Sequence, residues 1–135
     1  MNHNDLKRDL IRDEGYRLLP YEDSEGILTI GIGRNLEKGL SKDEVDVLYH
    51  NDIVSVEKDL DRSLPWWRML DEPRQRVLAN MCFNLGIGRL LGFRKTLKAI
   101  ESGDYLLAAI EMLDSKWARQ VGNRATRLAR IMKES

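Results

Sequence analysis

Residues 11–35, IRDEGYRLLPYEDSEGILTIGIGRN, pass from helical to alternating periodicity, and that switch decides the fold class. On the helical side Leu6, Leu10 and Ile11 recur at three- and four-residue spacing, Asn4 is placed to cap the helix, and Gly15 suits the residue just past its end. Glu14, four residues after Leu10 and three after Ile11, prolongs the apolar face at the negative pole of that helix. Partial burial and a helix C-terminus both disfavour a carboxylate, which is the condition for an acid that holds its proton near neutral pH. The same placement suits a Glu that merely snorkels at a helix end.

Past Gly15 the pattern changes. Tyr16–Tyr21 and Ile27–Ile32 flank a cluster of small polar residues and glycine, which predicts a hairpin with Asp23 in its connection. Taken alone, Asp23 reads as a turn former as readily as a catalyst. Alternation puts Ile27, Thr29 and Gly31 on one face and Leu28, Ile30 and Ile32 on the other, so the Thr29 face has the least bulk. Gly31 and Gly33 leave room for a ligand or another segment to approach the backbone, or they bend the strand. The glycine run lacks the spacing and the Lys-Ser/Thr pair of a phosphate loop. Two carboxylates and a hydroxyl at this junction point to bond hydrolysis.

Downstream the periodicity is helical. Ser41 with Glu44 forms a capping-box pattern, and Val45, Leu48, Tyr49, Asp52, Ile53, Val56 and Leu60 follow at helical spacing to about Asp61. Ser63-Leu64-Pro65 breaks that helix, a turn with Trp66 and Trp67 follows, and Asp71-Glu72-Pro73 opens a helix that ends at Gly86. Further helices are predicted over 94–101, stopped by Gly103, over 105–113 after Asp104, and from Arg124 after Asn123. The expected class is α+β, mainly helical. A single domain, 1–135, divides into a small mixed lobe with a β-hairpin (1–40), a long connecting helix (41–62) and a helical lobe (63–135).

Composition narrows the class without naming a chemistry. At 135 residues, with 42% hydrophobic and 33% charged residues, the chain can bury one sizeable core. Net charge is zero, yet residues 1–62 hold 9 Lys/Arg against 15 Asp/Glu, net −6, and residues 63–135 hold 13 against 7, net +6. The basic half could steer anionic material, or the two halves are solvated faces that pair with each other. Cys82, the lone cysteine, reads as a buried apolar side chain between Met81 and Phe83, and no intrachain disulfide can form. His3 and His50 lack metal-ligand spacing, so no metal and no cofactor are expected. No apolar run is long enough for a membrane span, and the N-terminal residues lack the apolar core of a secretory signal, which predicts cytoplasmic synthesis without stable membrane insertion.

In order and spacing, Glu14, Asp23 and Thr29, followed by Ile30-Gly31-Ile32-Gly33, resemble the catalytic signature of the phage-type lysozymes. Ser41-Lys42-Asp43-Glu44, the run Asn80 to Gly86, Gly92-Phe93, Ser115-Lys116-Trp117 and Asn123-Arg124-Ala125 extend the likeness over nearly the whole chain. The resemblance implies a two-lobe lysozyme-like fold and hydrolysis of the β-1,4 bond between N-acetylmuramic acid and N-acetylglucosamine in bacterial peptidoglycan. Glu14 would protonate the leaving oxygen, Asp23 would stabilise the oxocarbenium-like transition state or activate water, and Thr29 would hold that water, with inversion at the anomeric carbon. An inverting pair implies carboxyl groups roughly 6.5–9.5 Å apart. Leu36, Phe83 and Asn84 are implied as substrate contacts, and Trp117 as a residue beside the cleft or in the core. Arg124 is implied to reach Glu14. Arg34 stands where the family often has a histidine, with Asp52 matching its acidic partner, so an Arg34 to Asp52 ion pair is expected. A monomer acting on the wall after release, with a holin supplying the route, completes that expectation.

Departures from the family are the neutral net charge, the short Glu37-Lys38-Gly39-Leu40 link before Ser41, and the few residues after the Arg124 helix. Two readings outside hydrolysis compete. One is a lysozyme-like module that binds glycan or a partner without cleaving; the complete acid, Asp and Thr set argues against it. The other is nucleic-acid binding by Arg124, Arg127, Arg130 and Lys133 on one helix face, which has no recognition motif to support it, so no nucleic-acid partner is expected. Among enzymes, a lytic transglycosylase would use Glu14 without the organised water.

Overall fold

The computed structural model describes residues 1–134, and the chain is α+β and mainly helical, as the periodicity requires. Two compact units, Met1–Val47 and Leu48–Ser135, divide the chain inside the long helix rather than at either of its ends.

The first unit opens with α1, His3–Glu14. Asn2, not Asn4, caps it: the Asn2 backbone is extended and its side chain accepts from the Asp5 amide at 3.0 Å, whereas Asn4 already lies in the first turn. The helix ends as read, with Gly15 at φ +91° and its N–H bonded to the Ile11 carbonyl. Strands β1 (Arg17–Glu22), β2 (Leu28–Gly31) and β3 (Arg34–Asn35) form an antiparallel sheet in the order β1-β2-β3. Tyr21 pairs with Thr29, and Thr29 in turn with Asn35, so the threonine sits on the central strand. It is buried, while Leu28 beside it is half exposed. A short 3-10 turn, Leu36–Lys38, is capped by Asn35 and leads to the long helix α2, Lys42–Ser63. The capping box forms in full: the Glu44 amide donates to Ser41 Oγ at 3.2 Å and the Ser41 amide to Glu44 Oε1 at 2.9 Å.

The second unit holds the core. Val56 and Leu60 are the buried residues of α2, whereas Val45, Leu48 and Tyr49, expected on its apolar face, are exposed. A 3-10 turn, Trp67–Met69, follows α2 and buries Trp67. Helices α3 (Glu72–Leu85), α4 (Ile87–Leu91), α5 (Arg94–Glu101), α6 (Tyr105–Leu113), α7 (Lys116–Val121) and α8 (Asn123–Glu134) complete the unit. Bounds of α5 and α6 match the sequence reading; α4 and α7 are short helices it did not include. Leu78, Met81, Leu90, Ile100, Met112 and Met132 are fully buried and draw α3, α4, α5, α6 and α8 around one centre. Arg74, itself buried, fastens α3 to α8: its Nε donates to the Met132 carbonyl at 2.7 Å, and its guanidinium lies 3.6 Å from the centre of the Tyr105 ring. Cys82 is buried and burial pushes its thiol up, in keeping with an inert apolar side chain.

Candidate active site

In the first unit short links tie the backbone of Glu14 and the side chains of Asp23 and Thr29 to the sheet and its hairpin connection. Tyr21 is the first of them. Its hydroxyl donates to the Glu14 carbonyl at 3.3 Å, and across the β1–β2 ladder it faces Thr29. The hairpin connection supplies the next. Asp23 Oδ1 accepts from the amides of Glu25 at 2.8 Å and Ile27 at 2.9 Å, while Thr29 Oγ1 donates to the Ile27 carbonyl at 2.8 Å. Both polar side chains are thus locked to the backbone of one residue, Ile27.

That arrangement has chemical consequences. Asp23 is the turn former that its local sequence suggested, yet both bonds fall on Oδ1, so Oδ2 is the oxygen that can face a reactant. Thr29 spends its single proton on the Ile27 carbonyl, and its oxygen lone pairs remain as acceptors. A water meeting either oxygen would therefore act as a hydrogen-bond donor.

Glu14 departs from expectation in one respect. It is exposed, and α1 has no buried residue, so burial on an apolar helix face is not its environment. Its side chain instead runs over the backbone of Gly33.

Arg34 bonds Glu44 where the sequence led to Asp52. Arg34 Nη2 donates to Glu44 Oε1 at 2.6 Å, the same oxygen that accepts from the Ser41 amide. The capping box explains the choice, because it turns the Glu44 carboxylate back over the start of α2, toward the end of β3. The guanidinium and the two Ser41 contacts hold the Glu44 carboxyl at about 2, well below its ordinary range. Asp52 is exposed on α2. Leu36 is half-buried in the 3-10 turn.

The second unit carries the remaining positions. Phe83 and Asn84 are exposed near the end of α3. Trp117 is core: it is buried, donates from Nε1 to Asn84 Oδ1 at 2.8 Å and meets Phe93 edge to face with ring centres 6.0 Å apart. Arg124 is half-buried, with Nε and Nη2 both donating to Asn80 Oδ1 at 3.0 and 2.8 Å. A cavity of about 590 Å³ opens beside Phe93 and Trp117, with Arg89, Lys95, Glu111 and Asp114 in its wall. None of Glu14, Asp23 and Thr29 lines it.

Tyr21 has no assigned role in the sequence reading, which has Gly33 open to a close approach and Glu44 in a capping box but does not supply Glu14 and Arg34 as their partners. A register with Asp23 in the turn would have set Tyr21 near Thr29. The contacts of Gly33 with Glu14 and of Glu44 with Arg34 join residues that no local pattern pairs.

The profile of the phage lysozyme family matches residues 12–133. The chain belongs to that family. Probable T4-type lysozyme 1 of Dictyostelium discoideum is 28% identical over 93% of this chain and 92% of its own length. The pre-baseplate central spike protein Gp5 of Enterobacteria phage T4 is 32% identical over 91% of this chain, which spans about a quarter (26%) of the spike protein's length. Peptidoglycan hydrolase gp36 of Pseudomonas phage phiKMV is 29% identical over 88% of the chain and 14% of its own length. All three alignments cover most of the chain, although two of those proteins are far longer.

Proposed function

We propose that this protein is a muramidase that hydrolyses the β-1,4 bond between N-acetylmuramic acid and N-acetylglucosamine in bacterial peptidoglycan. Family membership supports the reaction class, and relatives named as lysozymes and as a peptidoglycan hydrolase support the substrate. The observation that carries the reading is the shared Ile27 anchor, which holds Asp23 by one carboxylate oxygen and Thr29 by its hydroxyl proton and leaves the other carboxylate oxygen and the hydroxyl lone pairs as acceptors.

In the proposed cycle Glu14 gives its proton to the glycosidic oxygen as the bond from that oxygen to C1 breaks. Water, donating to Asp23 Oδ2 and Thr29 Oγ1, forms the new bond to C1 from the opposite face and passes a proton to Asp23. Configuration at C1 inverts. Leu36 in the first unit and Phe83 and Asn84 in the second are the proposed glycan contacts, and Asn80 steadies Arg124. The protein reaches the wall as a monomer after a holin opens the way, and its product is a wall weakened enough for host lysis.

Clearing of purified peptidoglycan by the native protein beside Glu14→Gln tests the assignment. Native lysis with new reducing ends in the inverted configuration, and no lysis by the variant, is the expected result. Equal clearing by both proteins would remove Glu14 from its role, and anhydromuramic ends would replace hydrolysis with transglycosylation.

A further inference from the structure

Gly31 and Gly33 bracket the turn from β2 to β3, and both have φ +67°, a conformation that side chains resist. Their surroundings differ. A Cβ built on Gly31 would meet nothing within 4 Å, whereas one on Gly33 would come within 2.9 Å of Glu14 Cβ, 2.9 Å of Oε2 and 3.0 Å of Cγ. The glutamate therefore lies along the bare α-carbon of Gly33 from the root of its side chain to its carboxylate.

Little else can yield. Glu14 Cβ is fixed by the end of α1, where the Gly15 amide bonds the Ile11 carbonyl and the Tyr21 hydroxyl bonds the Glu14 carbonyl. A side chain at position 33 could not be accommodated by swinging the carboxylate alone; it would have to shift the last turn of the helix. Gly33 is itself held by the Ile30 to Arg34 pairing around it.

We propose that Gly33 is a positioning residue for the general acid, a flat backbone seat that fixes the direction of the Glu14 carboxyl. This rests on the muramidase reading for its catalytic meaning, while the seat itself is a structural relationship that stands apart from activity. The seat replaces the walls that a buried acid would have. Glu14 is exposed, so a backbone surface on one flank narrows the rotamers open to it. Because proton delivery depends on that direction, loss of the seat should lower turnover more than binding.

Two comparisons test the proposal, each using Gly31→Ala as the control with matched φ and open space. In the first, thermal melting is followed for Gly33→Ala and Gly31→Ala, each in the native and the Glu14→Gly background. Gly33→Ala should cost much less once the glutamate side chain is gone, while Gly31→Ala should cost the same in both. Equal costs for Gly33→Ala in both backgrounds, or failure to fold in both, would overturn the seat. Folding only in the Glu14→Gly background would support it. In the second, peptidoglycan kinetics should give a kcat for Gly33→Ala at least about tenfold below that of Gly31→Ala, with KM little changed. Matching kcat values would overturn the positioning role. Absence of hydrolysis by the native protein would reject the muramidase reading and with it the catalytic meaning, leaving the melting cycle to decide the seat.

Discussion

Arg34 and Glu44 meet at 2.6 Å through a carboxylate oxygen that also closes the capping box of α2, so one atom joins the end of the sheet to the start of the long helix. Both side chains are partly exposed, which makes the contact sensitive to salt and pH. Its role is to fasten one segment to the next.

Acid should loosen this junction. Glu44 titrates near 4.5 when unpaired and at about 2 here, so the native state binds its proton more weakly than the unfolded chain. The resulting stabilisation is complete above the unfolded value and fades as pH falls from there toward 2. Urea titrations from pH 7 to pH 2 should show a shallower acid decline for Glu44→Gln than for the native protein.

Asp23 has separable duties. Asn keeps the oxygen that accepts from Glu25 and Ile27, so Asp23→Asn should melt close to the native protein yet lose hydrolysis. Asp23→Ala gives up both amide contacts and should lose about 1 kcal/mol of stability as well. Circular dichroism melts beside wall-clearing rates distinguish a turn former from a catalyst.

Thr29 should depend on its hydroxyl more than on its shape. Thr29→Val removes the bond to the Ile27 carbonyl and the water acceptor together, lowering turnover by on the order of 10²-fold and stability by about 1 kcal/mol. Thr29→Ser restores the hydroxyl and should recover most of the turnover. A serine variant as inactive as the valine one would argue against water placement by this oxygen.

Trp117 should matter to the core of the helical unit. It is 4% exposed and packs on Phe93, so Trp117→Ala should cost about 3–5 kcal/mol in chemical denaturation. Trp117→Phe gives up the bond to Asn84 but retains an aromatic ring, and Asn84, being exposed, can turn to water. A much smaller loss is expected for that variant.

The helices were legible wherever a cap or a breaker bounded them. Asp104 bonds the Leu107 amide as its position before an apolar run suggested, and the capping box of Ser41 and Glu44 forms as read. Asn4 was misplaced because Asn2 and Asn4 are equally good caps on composition, and the backbone turns at Asn2. Short helices α4 and α7 escaped because five or six residues hold too little periodicity to register. In the candidate site, spacing singled out Glu14, Asp23 and Thr29 but left Asp23 divided between turn and catalysis; its two Oδ1 contacts show the turn role directly.

By itself the sequence determined the helix-to-hairpin switch, the mainly helical class and the family, because those depend on short-range periodicity and on the order of residues along the chain. Tertiary structure decided that Arg34 takes Glu44, that Trp117 is core, and that Glu14 lies exposed along Gly33. Each of those outcomes depends on where a side chain points once distant backbone segments meet. Two glycines with the same φ read alike in the chain; only the space above them tells them apart.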